Sequence, residues 1–182
     1  MPEIIIPGPE GRIEARYSPG NSAKPPLSII LHPHSRQGGT MNNKVVYHAF
    51  QAFKSLGFAT LRFNFRGVGK SQGSFDNGNG ELTDAACALD WLQSKNPHNL
   101  ETWVIGFSFG AWLSLQLLMR RPEIVGFVAI SPPANLYDFS FLSPCPASGL
   151  IIQGTEDNIV EEDSVSVSYT HLRAHETLRY RG

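Results

Sequence analysis

The stretch WVIGFSFGAWLSLQLLM, residues 103–119, reads as a strand, a glycine-flanked turn and a helix in immediate succession. Trp103-Val104-Ile105 is short and apolar, as a strand buried on both faces requires. From Ala111 to Met119 the residues are largely apolar, which suits a helix packed into a core, and Pro122 ends it. Between them Gly106-Phe107-Ser108-Phe109-Gly110 fits the pattern G-x-S-x-G. In this setting the serine occupies a tight, strained corner, and the glycines keep Cβ atoms away from neighbouring backbone. The helix that follows points its first N–H groups at any developing oxyanion. Ser108 is therefore a candidate nucleophile. The alternative is a glycine-rich turn that happens to hold a serine.

Outward from this stretch, strand-like and helix-like segments alternate. That order specifies an α/β fold, a mostly parallel sheet with helices on both faces. Residues 3–6 and 12–17 flank Pro7-Gly8-Pro9-Glu10-Gly11 and read as an antiparallel hairpin at a sheet edge. Residues 27–31, 58–65, 126–130 and 149–152 read as further strands. Val46, Phe50 and Phe53 recur at helical spacing before Gly57, and Leu82, Ala85, Ala86, Leu89 and Leu92 form one face of a second helix. Residues 67–80, rich in Gly and Asn, form a loop between strand and helix. The pattern contains no repeat and no linker.

Composition narrows the function. The chain has 182 residues, 41% hydrophobic, 17% charged, with a formal net charge of −1. That is one domain with a sizeable core and no basic stripe for nucleic acid. Cys87 and Cys145 lack CxxC spacing and nearby ligating histidines, so they read as reduced structural thiols; a single disulfide is the alternative. No apolar run is long enough to span a bilayer, and the first residues lack a signal peptide's basic patch and apolar core. A soluble, cytoplasmic protein without metal or organic cofactor is expected.

Three segments in matching order carry a resemblance: Leu31-His32-Pro33-His34, Arg66-Gly67-Val68-Gly69-Lys70-Ser71, and Gly106 to Gly110. Together they resemble the α/β-hydrolase superfamily. More narrowly, they look like compact, lidless bacterial hydrolases related to dienelactone hydrolases and serine esterases, over about residues 1–163. The resemblance implies an oxyanion loop at residues 32–39, with the backbone N–H groups of His34 and Phe109 as donors. Pro33 has no N–H to offer. The His32 and His34 side chains then shape the loop by hydrogen bonding, with direct proton transfer as the alternative. Gly154-Thr155-Glu156-Asp157-Asn158-Ile159-Val160 resembles the place where the superfamily keeps its acid. Asp157 would orient a histidine in the chain order Ser…Asp…His. A solvated loop carboxylate is the other reading of Asp157.

Gly69-Lys70-Ser71 looks like the end of a phosphate-binding loop. The required first glycine would be residue 64, which is Asn64, and no helix opens after Ser71, so nucleotide binding is rejected. The base is harder to find. His171 and His175 lie close behind Asp157, with little room for the usual crossover helix and strand. Residues 167–177 resemble a translated adapter or assembly artefact. The native hydrolase domain is thus expected to end near residue 163, truncated before its last helix and strand and without the triad histidine, with 164–182 an atypical tail. His175 as the base is the alternative.

The expected activity is hydrolysis of a carboxylic ester, thioester or related acyl bond of a small-molecule substrate through an acyl-enzyme. A short segment at residues 131–146 carries Tyr137, Phe139 and Phe141, which would line an open cleft or else cap the sheet. A serine peptidase and a non-catalytic, hydrolase-like binding domain are the competing readings. The sequence leaves oligomeric state open.

Overall fold

The computed structural model describes residues 3–99 and 101–154, and the backbone of 176–180. It contains one eight-stranded sheet in the order β1-β2-β4-β3-β5-β6-β7-β8. The hairpin β1 (Glu3–Gly8) and β2 (Gly11–Ser18) occupies one edge, as its sequence indicates, and β2 runs antiparallel to β4 (Ala59–Phe63). From β4 onward the sheet is parallel, through β3 (Leu27–Leu31), β5 (Thr102–Phe107), β6 (Ile124–Ile130) and β7 (Ser148–Gly154).

The sequence pattern did not indicate an eighth strand. Residues of the tail nevertheless form β8 (Glu176–Tyr180), parallel to β7, with Leu150 opposite Glu176. Alternating Thr and Arg among mixed neighbours gives no clear period there. The exposed backbone edge of β7 supplies the pairing instead, since an open edge accepts almost any extended segment.

Among the described residues three α-helices cover the sheet: α1 (Lys44–Ser55), α2 (Asn79–Lys95) and α3 (Phe109–Leu118). Successive strand residues point to opposite faces, and the central strands show it plainly. Ile30 and Ile105 pack with Val46 and Phe50 of α1, whereas Ile29 and Val104 join the larger cluster with Leu89 of α2 and Leu113 and Leu117 of α3. Each fully buried Leu, Ile or Phe side chain contributes about 2 kcal/mol relative to exposure. This two-sided core gives the apolar runs of β3 and β5 their stability. Both cysteines are free thiols.

The parallel register positions the functional end of the sheet. Leu31 pairs with Gly106, and Phe107 pairs with Ile130, so the chain leaves β3, β5 and β6 at neighbouring points.

Candidate functional site

Ser108 sits at the cap of α3 with φ 54° and ψ −118°. A positive φ is uncommon for a residue with a Cβ, costs roughly 1–3 kcal/mol of strain, and persists only where the surroundings enforce it. Here they do. The Ser108 N–H donates to Ile130 O at 2.9 Å, and its carbonyl accepts from Ala111 N at 2.8 Å. The glycines on either side are required by contact. A Cβ on Gly106 would meet the carbonyl oxygen of Gly110 and, at 2.5 Å, the Cα of Ala111. A Cβ on Gly110 would meet the carbonyl oxygens of Leu31 and, at 2.6 Å, His32. The strand and helix therefore close on each other only with hydrogen at both positions. Among the described residues, neither the Ser108 hydroxyl nor the Phe109 N–H has a protein hydrogen-bond partner.

The loop after β3 lies beside this turn. His32 is fully buried; its Nε2 accepts from Phe65 N at 3.0 Å and its Nδ1 lies 2.6 Å from Pro33 O. These partners require a neutral ring protonated at Nδ1. Burial pushes its pKa down to about 4, against a smaller opposing effect of the Pro33 carbonyl. His32 thus ties two loops together, the shaping role read from the sequence.

His34 is half-buried. Its Nδ1 accepts from Arg36 N at 3.2 Å, and its ring packs 4.7 Å from Phe75 and 4.9 Å from Phe109. Burial lowers the His34 pKa, the charge of Arg36 lowers it further, and Glu81 opposes both. A neutral imidazole that accepts from backbone is a wall of the site.

Arg66 anchors the next loop. Its Nε and Nη2 reach Asp84 Oδ2 and Oδ1 at 3.0 and 2.8 Å, and its own N–H donates to Asp84 Oδ2 at 3.0 Å. Glu81, fully buried, accepts from Gly78 N and Asp76 N at 2.8 and 2.9 Å. Sequence reading passed over Asp84 and Glu81. Their signal was faint, because an acidic residue at the start of an amphipathic helix normally faces solvent.

The Gly69-Lys70-Ser71 turn holds no phosphate cradle. The Lys70 N–H donates to Glu14 Oε2 at 2.8 Å, the Ser71 N–H to Val68 O at 2.9 Å, and Lys70 Nζ pairs with Glu3 at 2.6 Å. A buried carboxylate where a phosphate would sit excludes the anion.

The segment at residues 131–147 carries one short 3-10 turn (Ser140–Leu142) and no lid. Its aromatics divide. Tyr137 stacks on Trp112 at 4.4 Å and lies 5.8 Å from Phe109, while Trp112 Nε1 donates to Asp138 O at 3.2 Å. Phe139 is buried in the core with Phe141 against it. Tyr137 thus packs half-buried on Trp112 and Phe109 of α3, whereas Phe139 lies in the core. Asp157 and His175 lie outside the described residues, as does His171.

Residues 12–143 match the family described as X-Pro dipeptidyl-peptidase (S15 family). The chain belongs to that family of α/β-hydrolases. An uncharacterized protein of Rickettsia prowazekii is 56% identical over 91% of this chain and 71% of its own length. A protein of unknown function from Agrobacterium tumefaciens superposes with a TM-score of 0.92 at 55% identity, covering 99% of this chain and 83% of the other. An α/β serine hydrolase without a lid from Xanthomonas campestris gives a TM-score of 0.90 at 36% identity, over 99% and 83% of the two chains. Bovine lysophosphatidylserine lipase is 24% identical over 94% of this chain, which spans 47% of that lipase's length. The family, the mostly parallel sheet and the short connection after β6 agree with the sequence reading. No helix among the described residues is long and apolar enough to cross a membrane.

Proposed function

We propose that this chain is a serine hydrolase of acyl substrates, a carboxylic ester or thioester, with Ser108 as nucleophile. The observation that carries the reading is the Ser108 backbone, held at φ 54° on the first turn of α3 next to a Phe109 N–H without a hydrogen-bond partner among the described residues. A binding module has no use for a serine kept on a strained corner with its hydroxyl free. In the reaction Ser108 Oγ attacks the carbonyl carbon, and the N–H groups of Phe109 and His34 receive the developing oxyanion. The alcohol or thiol leaves with a proton, and water then cleaves the acyl-enzyme.

Asp157 is the proposed acid that orients the base. We hold that His175 is not that base, because it precedes β8 in the chain, and β8 runs parallel to β7, so the end of β8 on the Ser108 side of the sheet is its carboxyl end and not its start. Exchange of His175 for alanine is expected to leave turnover unchanged, and turnover by this chain to be weak. A loss on the order of a thousandfold in His175→Ala would instead assign it the role. The native hydrolase domain is proposed to end near residue 163, with β8 added to its sheet by the atypical tail, and the protein to lie in the cytoplasm.

A fluorophosphonate probe tests the nucleophile: with the base absent, the expected result is slow covalent labelling at long incubation that disappears in Ser108→Ala. No labelling of the wild-type chain would sink the proposal. The family match favours one second reading, a peptidase. Cleavage of an aminoacyl-proline anilide in preference to a short-chain aryl ester would establish it.

A further inference from the structure

The cations near this end of the sheet are mostly partnered. Arg66 is clamped by Asp84, with Glu10 at 3.9 Å, and Lys70 pairs with Glu3. Arg36 differs. It is exposed, and no carboxylate among the described residues lies within ion-pair distance of it. Yet it is not a loose surface side chain. Its guanidinium lies over the Phe75 ring at 4.7 Å from the centroid, and its backbone N–H donates to His34 Nδ1. Attraction to a ring face restrains a guanidinium while leaving its N–H groups free to donate.

Phe75 connects this charge to the reacting centre. The same ring packs 4.7 Å from His34 and 5.9 Å from Phe109, the residue after Ser108. Phe109 in turn lies 5.8 Å from both Trp112 and Tyr137. Phe75, Trp112 and Tyr137 are each half-buried around the buried Phe109, so aromatic rings flank the turn that holds Ser108, and at one end lies a cation with no carboxylate partner among the described residues. The charge of Arg36 is felt at His34, where it helps hold the imidazole neutral.

We infer that Arg36 is a specificity-determining residue that selects esters carrying a carboxylate beyond a flat apolar body. The flat body lies against the half-buried Phe75 and Tyr137 rings, which the buried Phe109 backs, and the carboxylate pairs with the N–H groups of the Arg36 guanidinium. The planar fork of a guanidinium matches two carboxylate oxygens, which a lone ammonium does not. The inference rests on the hydrolase reading in placing the scissile bond at Ser108, but the binding it describes does not require turnover.

Two isosteric probes separate charge from shape: methyl 4-carboxybenzoate, anionic, and methyl 4-carbamoylbenzoate, neutral. Their affinities are measured by calorimetry on the full chain, and again as protection of Ser108 from fluorophosphonate labelling. The anionic probe is expected to bind at least ~10-fold more tightly, a gap that narrows from low to high salt. Arg36→Gln should abolish the preference while leaving the neutral probe's affinity unchanged, and Arg36→Lys should restore only part of it. Equal affinities in the wild-type chain, a preference that survives Arg36→Gln, or no binding of either probe would each overturn the inference. Persistent labelling of Ser108 alongside equal affinities would sink this inference alone. An Arg36-dependent preference without labelling would sink the hydrolase reading alone.

Discussion

The imidazole ring of His34 lies against the phenyl ring of Phe109, their centroids 4.9 Å apart. The two residues come from different elements, the loop after β3 and the first turn of α3. Their side-chain contact ties together the two residues whose backbone N–H groups are proposed as oxyanion donors. Preorganised donors cost no reorganisation at the moment of reaction, which is the source of their effect.

Truncating that ring should therefore slow chemistry more than it loosens the fold. His34→Ala keeps the backbone N–H but removes the packing on Phe75 and Phe109 and the acceptor for Arg36 N. The expected result is a fall of roughly ten- to a hundredfold in fluorophosphonate labelling rate, within the cost of losing one donor. The urea midpoint should move by no more than about 1–2 kcal/mol in stability. An unchanged labelling rate would show that the donors are held by backbone alone.

Strain at Ser108 predicts a trade between stability and reactivity. Glycine adopts φ 54° without a Cβ penalty, at a cost in unfolded-chain entropy of about 0.5–1 kcal/mol. Relief of roughly 1–3 kcal/mol of strain outweighs that cost. Ser108→Gly is thus expected to be more stable than both wild type and Ser108→Ala, by about 1 kcal/mol, with labelling lost in both variants. Chemical denaturation of the three proteins side by side decides the matter.

His32 makes stability depend on pH. Its pKa falls from the ordinary 6.5 to about 4 in the folded chain, because burial disfavours the charged ring. The unfolded chain therefore takes up a proton first as pH drops. Stability from this group is complete above about pH 6.5 and is lost progressively down to about pH 4, a total of about 3 kcal/mol. His32→Gln, whose amide oxygen can still accept from Phe65 N, should flatten the stability profile across that window. An unaltered acid slope would mean that other groups dominate it.

The Arg66–Asp84 pair is nearly buried, with side-chain exposures of 8% and 1%. Removing one member strands the other charge, so Arg66→Ala should cost about 3–5 kcal/mol. Replacing both, as in Arg66→Met with Asp84→Leu, should recover much of that loss. A double-mutant cycle in urea measures the difference. If the single and double variants lose the same stability, the pair is a spectator and the loop is held by its turns.

Much of this molecule is legible in the chain itself. The G-x-S-x-G pentad between an apolar strand and an apolar helix announced the turn, since few backbones accept glycine, serine and glycine at that spacing. Val46 and Phe50 marked the α1 face, and Leu82 to Leu92 marked α2, because their period matches one side of a helix. Asp84 was not legible, since its carboxylate looks like ordinary helix surface until Arg66 arrives from another element. Tyr137 and Phe139 stand two residues apart and meet opposite fates. Local pattern cannot separate them, because which one reaches Trp112 depends on the path of a loop without periodicity. The strand at Glu176–Tyr180 escaped notice for a related reason: its pairing is lent by the edge of β7.

What the sequence alone determined is therefore the class of fold, the strand-to-helix corner and the identity of its serine. Those depend on short-range periodicity and on glycines whose missing Cβ is a local fact. Only the tertiary structure decided how the corner is strained, which carbonyls crowd it, and that His34, Phe75 and Arg36 gather over the buried Phe109. Those relations join residues far apart in the chain, and they exist only once the parallel sheet brings its carboxyl ends together.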